Sequence, residues 1–465
     1  MKKSAVIISV LLLFAVLFAA CAKGSATDES TDKTPQNENV LSAYIVKNSG
    51  KDLLVTAEDG LYFVSLSDSK VYENAKEIGK EDVTFAREID CQQNVLMPGF
   101  KNAHTHSAMT LLRSFADDMP LQDWLNKQVF PVEAKLDGEM IYHLTKLAVL
   151  EYLTSGVTSI FDMYLTPETI ADACIDMGMR VVQVGGVNNF SMSPELIEKY
   201  YQELNHKDPL SSFVIGFHAE YTCSKELLTK ISELAHKYQA PVFAHISETE
   251  SEVAECVERY GMTPPMLFDS LGMFEYGGGG YHCVYLTEKD IELFARKGLH
   301  VVTNPGSNTK LASGIAPIDA FLKKGINVAI GTDGPASNNC LDMFREMFLV
   351  TGLAKLREKD ASAVDAFEVL KMATVNGAKA MGLEDCDILA PGKQADMIMI
   401  DLHQPNMQPL NNIAKNIVYS GSKQNVKMTM IAGRILYEDG KFAQAYDVEA
   451  IYAKANELVQ KLTRE

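Results

Sequence analysis

The sequence has little of what marks several common protein classes. Its eight cysteines include no CxxC pair, and no GxGxxG or P-loop motif follows an apolar run. A cysteine zinc site and a dinucleotide or ATP site therefore have no support. Basic residues number 43 against 61 acidic ones, for a formal net charge of −18. Such a surface repels phosphate backbones and anionic lipid headgroups, so nucleic acid is not an expected partner.

The composition is that of a folded protein with a large core. Apolar residues make up 47% of the 465 positions and charged residues 22%. These values exclude the disordered, collagen-like and disulfide-dense classes. The length suits one large α/β domain together with a smaller one, because α/β barrels run to about 250 residues as a single unit.

The N-terminus resembles a bacterial lipoprotein signal. A basic start is followed by an apolar run over 5–20, shorter than the roughly 20 residues of a spanning helix. Small residues then precede Cys21, so we expect 1–20 to be a signal peptide and Cys21 to carry lipid. An uncleaved anchor helix or an ordinary signal peptide are the alternatives. The polar stretch 21–39 is then a flexible tether, and the protein is expected outside the cytoplasm, anchored to the cell membrane.

The segment 95–384 predicts a (β/α)₈ barrel of the TIM type. Short apolar runs alternate there with longer stretches of helical spacing, as in buried parallel strands joined by helices. The eight runs are 95–106, 156–164, 180–187, 212–220, 240–248, 279–286, 299–308 and 326–335.

The two flanking segments predict a small β-sandwich domain built from both chain ends. Residues 40–94 and 385–465 show period-two alternation with Gly or Asp turns, followed by a C-terminal helix. Within the barrel segment, four consecutive glycines over 277–280 predict either a mobile loop beside the pocket or a plain surface turn.

Histidines and carboxylates lie at the carboxyl ends of the predicted strands, which is where barrel enzymes have their active sites. Two imidazoles at i and i+2 on the first strand point to the same face. Five of the chain's ten histidines occupy such positions, and each one alone reads as an ordinary core or surface residue. The converging residues are His104, His106, His218, His245, Glu248, His282 and Asp333.

Imidazoles together with a carboxylate suit Zn²⁺ or another borderline divalent ion, with an open position for water. Such an ion lowers the pKa of its water to about 7. Glu248 can then move protons between water and a nitrogen leaving group, and His282 can hydrogen-bond the attacking oxygen.

Four sequence motifs, taken in order along the chain, point to a particular protein family. The run PGFKNAHTHSAMTLLRSFADDMPLQDWL is followed in order by HISETE, HCVYL and GTDGPASNN. This series resembles the amidohydrolase superfamily, and within it the zinc deaminases of S-adenosylhomocysteine, 5'-methylthioadenosine and related adenosine compounds. The likeness extends over about residues 42–445.

The resemblance implies a role for each matching residue. It makes Glu248 the acid that protonates the purine ring nitrogen, with Asp333 as a further proton carrier and His282 beside the attacking oxygen. It places His218 and Glu133 near the ribose, and Trp124 and Ser337 along the pocket. It implies one metal ion per chain, because no lysine ends the fourth strand, where two-metal relatives carry one. The implied ligands are His104, His106, His245 and Asp333.

The substrate is an adenosine-type nucleoside in this interpretation. An arginine that holds the amino-acid tail in adenosylhomocysteine deaminases is missing, since the chain reads Val184-Gly185-Gly186 there. Guanine deamination, triazine deamination or dechlorination, and a catalytically inactive solute-binding lipoprotein are the alternatives. The expected partners are a small-molecule substrate and, through the lipid alone, a membrane. The oligomeric state stays open, a homo-oligomer included.

Replacing Cys21 with Ser is expected to release the protein from membranes or to leave it unprocessed, because the thiol that would carry lipid is gone. Membrane fractionation and the mass of the N-terminal peptide check this prediction. Cys340→Ser is the matched control and should stay with the membranes. A wild-type protein that fractionates with cytosol and retains Met1 would contradict the signal interpretation.

Overall fold

The structure is a computed structural model that describes residues 89–390 and 393–462 in full, together with the backbone of residue 463 and, within 41–88, the backbone of the strands. The predicted signal peptide, the tether and Cys21 lie outside the described residues. Within the described part of the chain, no helix is both long and apolar enough to cross a membrane.

Eight parallel strands form a nearly closed barrel, which confirms the predicted fold class. Consecutive strands are neighbours throughout, so each connection returns the chain to the same end of the barrel. The strands are β8 Phe100–Thr105, β9 Val157–Asp162, β10 Arg180–Val184, β11 Ser211–Ala219, β12 Val242–Ile246, β13 Gly278–His282, β14 His300–Thr303 and β15 Asn327–Ile330.

The first and last barrel strands are joined by hydrogen bonds at the end of β15. The Asp333 N–H donates to the His104 carbonyl at 2.9 Å. The Asn102 side chain accepts from the Thr332 N–H at 2.9 Å and donates to the Thr332 hydroxyl at 2.7 Å. These bonds hold together two segments that are about half the chain apart in sequence.

Helices alternate with the barrel strands and cover them. Lys225–Tyr238 is typical: the Ser224 hydroxyl caps it by accepting from the Leu227 N–H, and Leu228 and Ile231 are buried. Such capping satisfies one of the free donors of a first helical turn. The described α-helices of six or more residues are Gly138–Thr154, Pro167–Asp176, Pro194–Leu204, Lys225–Tyr238, Glu250–Tyr260, Pro264–Ser270, Glu288–Lys297, Pro305–Lys310, Ile318–Lys323, Met343–Glu358, Ala366–Ala373, Val375–Ala380 and Val448–Thr463.

Two further sheets lie outside the barrel. One sheet contains β1 Leu41–Asn48, β2 Asp52–Ala57, β3 Gly60–Ser65, β4 Val71–Glu73, β5 Lys76–Ile78 and β6 Val83–Asp90. It is antiparallel except where β1 pairs with β6. A five-stranded antiparallel sheet contains β7 Val95–Pro98, β16 Met397–Ile400, β17 Val426–Ile431, β18 Arg434–Glu438 and β19 Lys441–Phe442.

The apolar run 95–106 is two strands, which differs from the single barrel strand predicted. Val95–Pro98 pairs with Met397–Ile400 in the five-stranded sheet, and the barrel begins at Phe100. Pro98 and Gly99 separate the two strands. A side chain at Gly99 would lie 2.1 Å from Thr158, so only glycine allows this close passage from sheet to barrel.

The two terminal segments share a small core, and an ion pair joins them to the barrel. Ile89 and Leu96 pack in one buried cluster with Met397 and neighbouring methionines. The Arg180 guanidinium of β10 donates two bonds to the Asp396 carboxylate, at 2.7 and 3.0 Å. A two-bond geometry of this kind fixes orientation as well as position.

The glycine run 277–280 is neither of the two structures predicted for it. Three of its residues belong to the buried strand β13, whose other end carries His282. A Cβ atom at Gly278 would lie 2.0 Å from the Val242 carbonyl oxygen, and one at Gly279 would lie 2.4 Å from that of His300. The run therefore serves close packing between strands and lies at the barrel end away from the candidate site.

Candidate active site

The carboxyl ends of the barrel strands surround one cavity of about 570 Å³. Residues of β11, β12 and β13 line it, together with residues from the segments that follow β8, β9, β10 and β15. All but one of the site residues predicted within the described chain line this cavity. The exception is His104, which is fully buried and does not reach the cavity surface. The predicted residues on the wall are His106, Trp124, Glu133, His218, His245, Glu248, His282, Asp333 and Ser337.

Four of these residues form a cluster suited to a metal ion. One ligand atom from each of His104, His106 and His245 lies within 4.8 Å of the others. The Asp333 carboxylate joins them: its Oδ1 atom is 3.1 Å from His106 Nε2 and 3.6 Å from His104 Nε2. His282 also lies within 4.8 Å of His104 and Asp333, so distance alone does not separate it from the predicted ligands.

Backbone carbonyls orient two of the imidazoles. His106 Nδ1 bonds the Met163 carbonyl, and His245 Nδ1 bonds the His218 carbonyl at 2.8 Å. A carbonyl can only accept, so the proton sits on Nδ1 of both rings. Each Nε2 atom therefore faces the cluster as the nitrogen that can bind a metal ion. Burial lowers the pKa of His106, but its bond to Asp333 outweighs this and raises the pKa to about 9, so an ion bound there would replace the Nε2 proton.

His104 shows that these residues fit a metal ion. It is fully buried, and neither of its ring nitrogens has a hydrogen-bond partner among the described residues. Burial lowers the pKa of His104 well below its usual value, so the ring is neutral and keeps a lone pair. Tyr281 stacks on the ring with 3.8 Å between centroids. An ion bound by His104 would satisfy a polar group that otherwise costs stability.

Asp333 is held by three donors. Its Oδ2 atom accepts from the Ser307 hydroxyl at 2.6 Å and the Ser337 hydroxyl at 2.9 Å, and its Oδ1 atom accepts from the Gly334 N–H at 2.8 Å. Asp333 has φ +60°, and His282 has φ +68°. Both residues therefore adopt the left-handed conformation, His282 at the end of β13 and Asp333 three residues after β15, and both line the cavity.

Glu248 and His282 face each other beside the cluster. The Glu248 Oε2 atom is 3.8 Å from His282 Nε2, and its Oε1 atom accepts from the Ser313 hydroxyl at 2.9 Å. His282 Nδ1 bonds the Asn308 side-chain oxygen at 2.7 Å. The Glu252 carboxylate accepts from the Glu248 N–H at 2.8 Å and so fixes the turn that carries Glu248.

Ser307, Asn308, Ser313 and Glu252 were missed by the sequence analysis. Two of them lie at the end of the strand-like run 299–308, whose final residues NPGSN were counted as strand. The structure ends β14 at Thr303 and begins a helix at Pro305. A polar stretch directly after a barrel strand was the available signal for Ser307 and Asn308.

Trp124 and Glu133 line the cavity from the helical segment that comes after β8. Trp124 ends the helix Leu121–Trp124 and Glu133 ends the helix Phe130–Glu133, with a π-helical turn over Leu125–Val129 between them. Trp124 is 5% exposed. The Glu133 Oε1 atom is buried without a hydrogen-bond partner among the described residues. Burial raises the pKa of Glu133 to about 7, while neighbouring Tyr164 lowers it.

His218 lies at the end of β11 on the same cavity. Its Nδ1 atom is 3.0 Å from the Thr222 hydroxyl. Burial lowers the pKa of His218 to about 4, so the ring is neutral and presents its other nitrogen as a hydrogen-bonding group. The cavity thus combines a metal-ligand cluster, a nearby carboxyl and a polar wall.

Comparison with protein-family models shows which family this chain belongs to. The model of the amidohydrolase family matches residues 95–436. The chain belongs to the amidohydrolase family. It is 39% identical over 420 residues to a 5-methylthioadenosine/S-adenosylhomocysteine deaminase of Caldanaerobacter subterraneus subsp. tengcongensis, covering 86% of this chain and 97% of that protein. The predicted family resemblance is confirmed.

Two further proteins show how far the similarity extends. A 5'-deoxyadenosine deaminase of Methanopyrus kandleri is 36% identical over 429 residues, which cover 90% of this chain and 96% of that protein. An adenosine deaminase from Xanthomonas campestris, solved with bound zinc, superposes with a TM-score of 0.81 at 31% identity. That match covers 92% of this chain and 99% of the other.

Replacing His106 with Ala is expected to remove the metal and abolish activity, because the cluster loses one of its oriented imidazoles. Elemental analysis of purified protein checks this: the wild type should hold one divalent ion per chain. The control is His206→Ala, which changes an exposed histidine and should retain the ion. Two ions per chain, or none in an active wild-type sample, would contradict the prediction.

Proposed function

We propose that the protein is a zinc-dependent hydrolytic deaminase of an adenosine-type nucleoside, acting on adenosine, 5'-deoxyadenosine or methylthioadenosine and releasing ammonia. The observation that carries the proposal is the presence, in one cavity, of the histidine–aspartate cluster, the Glu248 carboxyl and the unpartnered carboxylate oxygen of Glu133. The deaminases among its relatives support this choice of chemistry.

Zinc is the ion that the donor set favours. His104, His106, His245 and Asp333 would hold it, and nitrogen donors with a carboxylate suit Zn²⁺ better than the hard cations that prefer oxygen alone. When bound in such a site, the ion lowers the pKa of a water to about 7 and makes it nucleophilic at neutral pH. The protein's own residues supply the remaining steps.

Proton transfer falls to Glu248 and Asp333. Deamination adds water at C6 of the purine and breaks the C6–N bond, so the ring nitrogen and the departing amino group each need a proton. Glu248 lies beside His282 and off the cluster, where it can deliver a proton to the ring nitrogen. His282, held through Nδ1 by Asn308, directs Nε2 toward the attacking oxygen. Asp333 takes one proton from the attacking water and passes it to the departing amino group, which leaves as ammonia. The second proton of that water restores the proton that Glu248 gave to the ring nitrogen.

Recognition of the ribose is assigned to Glu133 and His218. A buried carboxylate oxygen without a partner costs stability until a ligand donates to it, and ribose hydroxyls are such donors. Trp124 offers an apolar face to the nucleoside. Among the residues that the structure describes, no lysine or arginine lines the cavity, and Gly185 offers no side chain. The described part of the cavity therefore supplies no cation for the carboxylate tail of adenosylhomocysteine.

A catalytically inactive binding protein is the weaker alternative. Such a protein has no use for the oriented imidazoles or for Glu248, and every one of these groups is present. Export with a lipid anchor, the expectation for Cys21, would give the enzyme access to nucleosides outside the cell, so we propose scavenging of external nucleosides as its role. The Cys21→Ser experiment tests that location separately from the chemistry.

Glu248→Gln is expected to lower kcat by roughly 10²- to 10⁴-fold, because it keeps the side chain's size and removes its transferable proton. Metal content should be unchanged, since Glu248 is not among the ligands. Steady-state ammonia release and elemental analysis measure the two quantities. Glu250→Gln, an exposed neighbour on the following helix, is the control. Unchanged turnover in Glu248→Gln would remove this residue from the mechanism.

The substrate proposal is tested by kcat/KM on a panel of compounds. We expect adenosine, 5'-deoxyadenosine or methylthioadenosine to be better substrates than S-adenosylhomocysteine and free adenine. Glu133→Ala should lower kcat/KM for the nucleosides and leave any activity on free bases nearly unchanged, because only the nucleosides carry the hydroxyls. A preference for adenosylhomocysteine would refute the argument from the missing cation. A preference for free bases would refute the ribose argument.

A further inference from the structure

The outer part of the cavity is apolar and partly exposed. Phe190 is 90% exposed and Phe130 is 41% exposed, although both line the cavity. Single apolar residues on a surface are ordinary, but several around one opening mark a binding surface. The other apolar side chains lining the cavity beyond the metal cluster include Leu121, Leu125, Met192 and Leu311.

Phe190 is held in place by its neighbours. The Asn188 side-chain oxygen accepts from the Phe190 N–H at 2.8 Å and from the Ser191 N–H at 2.9 Å. Next to it, Asn189 donates from its N–H to the Thr222 carbonyl at 3.0 Å and accepts from the Ser224 N–H at 2.9 Å. The turn is thus fixed to the loop that follows β11 and His218. A fixed turn keeps an aromatic ring in water at the edge of the cavity.

The chemistry of the proposed reaction orients a nucleoside in this cavity. The reacting C6 atom must lie beside the metal cluster, whereas the ribose is attached at N9 on the other ring of the purine. The ribose therefore extends away from the cluster, and its 5' substituent is the part of the molecule that reaches farthest out. The cavity lining away from the cluster is mostly apolar, and within the described residues it includes no lysine or arginine.

We propose that Phe190 is a specificity-determining residue that covers the 5' substituent of the nucleoside and favours an apolar one, such as a methylthio group. This inference rests on the proposed function. Burial of the exposed ring against the substituent removes apolar surface of both from water. A charged or strongly hydrated 5' group gains nothing from the contact and loses part of its hydration.

The test compares methylthioadenosine with adenosine as substrates of the wild type and of Phe190→Ala. We expect about a tenfold loss of kcat/KM for methylthioadenosine, mostly through KM, the size typical of losing contact with one small apolar group. The loss for adenosine should stay within about twofold by the same reasoning. Phe190→Leu should retain most of the preference, since it restores an apolar side chain. Phe348→Ala is the control, because Phe348 is 52% exposed on a helix that does not line the cavity.

A second measurement needs no turnover. Trp124 is the only tryptophan of the chain and lines the same cavity, so its fluorescence reports ligand binding at this site. Titration with the products 5'-methylthioinosine and inosine should show tighter binding of the former by the wild type and nearly equal binding by Phe190→Ala. A preference that survives in Phe190→Ala would overturn the role of Phe190. A wild type that releases no ammonia from any nucleoside would instead contradict the proposed function.

Discussion

The site depends on the joining of the first barrel strand to the last. His104 and His106 are separated from Asp333 by more than two hundred residues, and the bond from the Asp333 N–H to the His104 carbonyl brings them together. The two hydrogen bonds between Asn102 and Thr332 fix the same alignment of these two segments at the neighbouring residues. A slip of one residue along this seam would turn the alternating side chains to the other face. The metal cluster is thus a direct product of barrel closure.

A second constraint is that a buried polar site needs partners for every group. The main chain supplies several of them: carbonyls orient His106 and His245, and the Gly334 N–H holds Asp333. Loop side chains supply the rest, among them Asn308 for His282. Among the predicted metal ligands His104 is the exception, since both of its nitrogens lack partners among the described residues. The Glu133 Oε1 atom on the cavity wall lacks a partner as well, so the predicted metal site and the predicted ribose site each contain a buried polar group that a ligand would satisfy.

Much of the barrel and most of the candidate site could be predicted from the sequence. Physical reasons explain which features could be predicted and which could not. Strand ends were visible because a buried apolar run followed by His or Asp is an unusual pattern, as at His245 and Asp333. Partners such as Ser313 could not be found, because nothing local to a loop tells which carboxylate it will meet. Pro98 and Gly99 hid a change of sheet inside one apolar run. The glycines at 277–280 suggested mobility, whereas the crowding of neighbouring strands is what requires them.

The left-handed backbone at His282 and Asp333 lowers the stability of the fold at two residues whose side chains the proposed activity requires. Conformations of this kind cost on the order of 1 kcal/mol or more at residues other than glycine, although His and Asp tolerate them better than most. Glycine at either position would relax the backbone and remove a reacting group. Selection for thermal resistance alone would therefore erode the enzyme, and only selection on its chemistry keeps these two side chains where they are. Any effort to stabilise the protein has to exempt these two positions, however favourable a substitution there looks for folding.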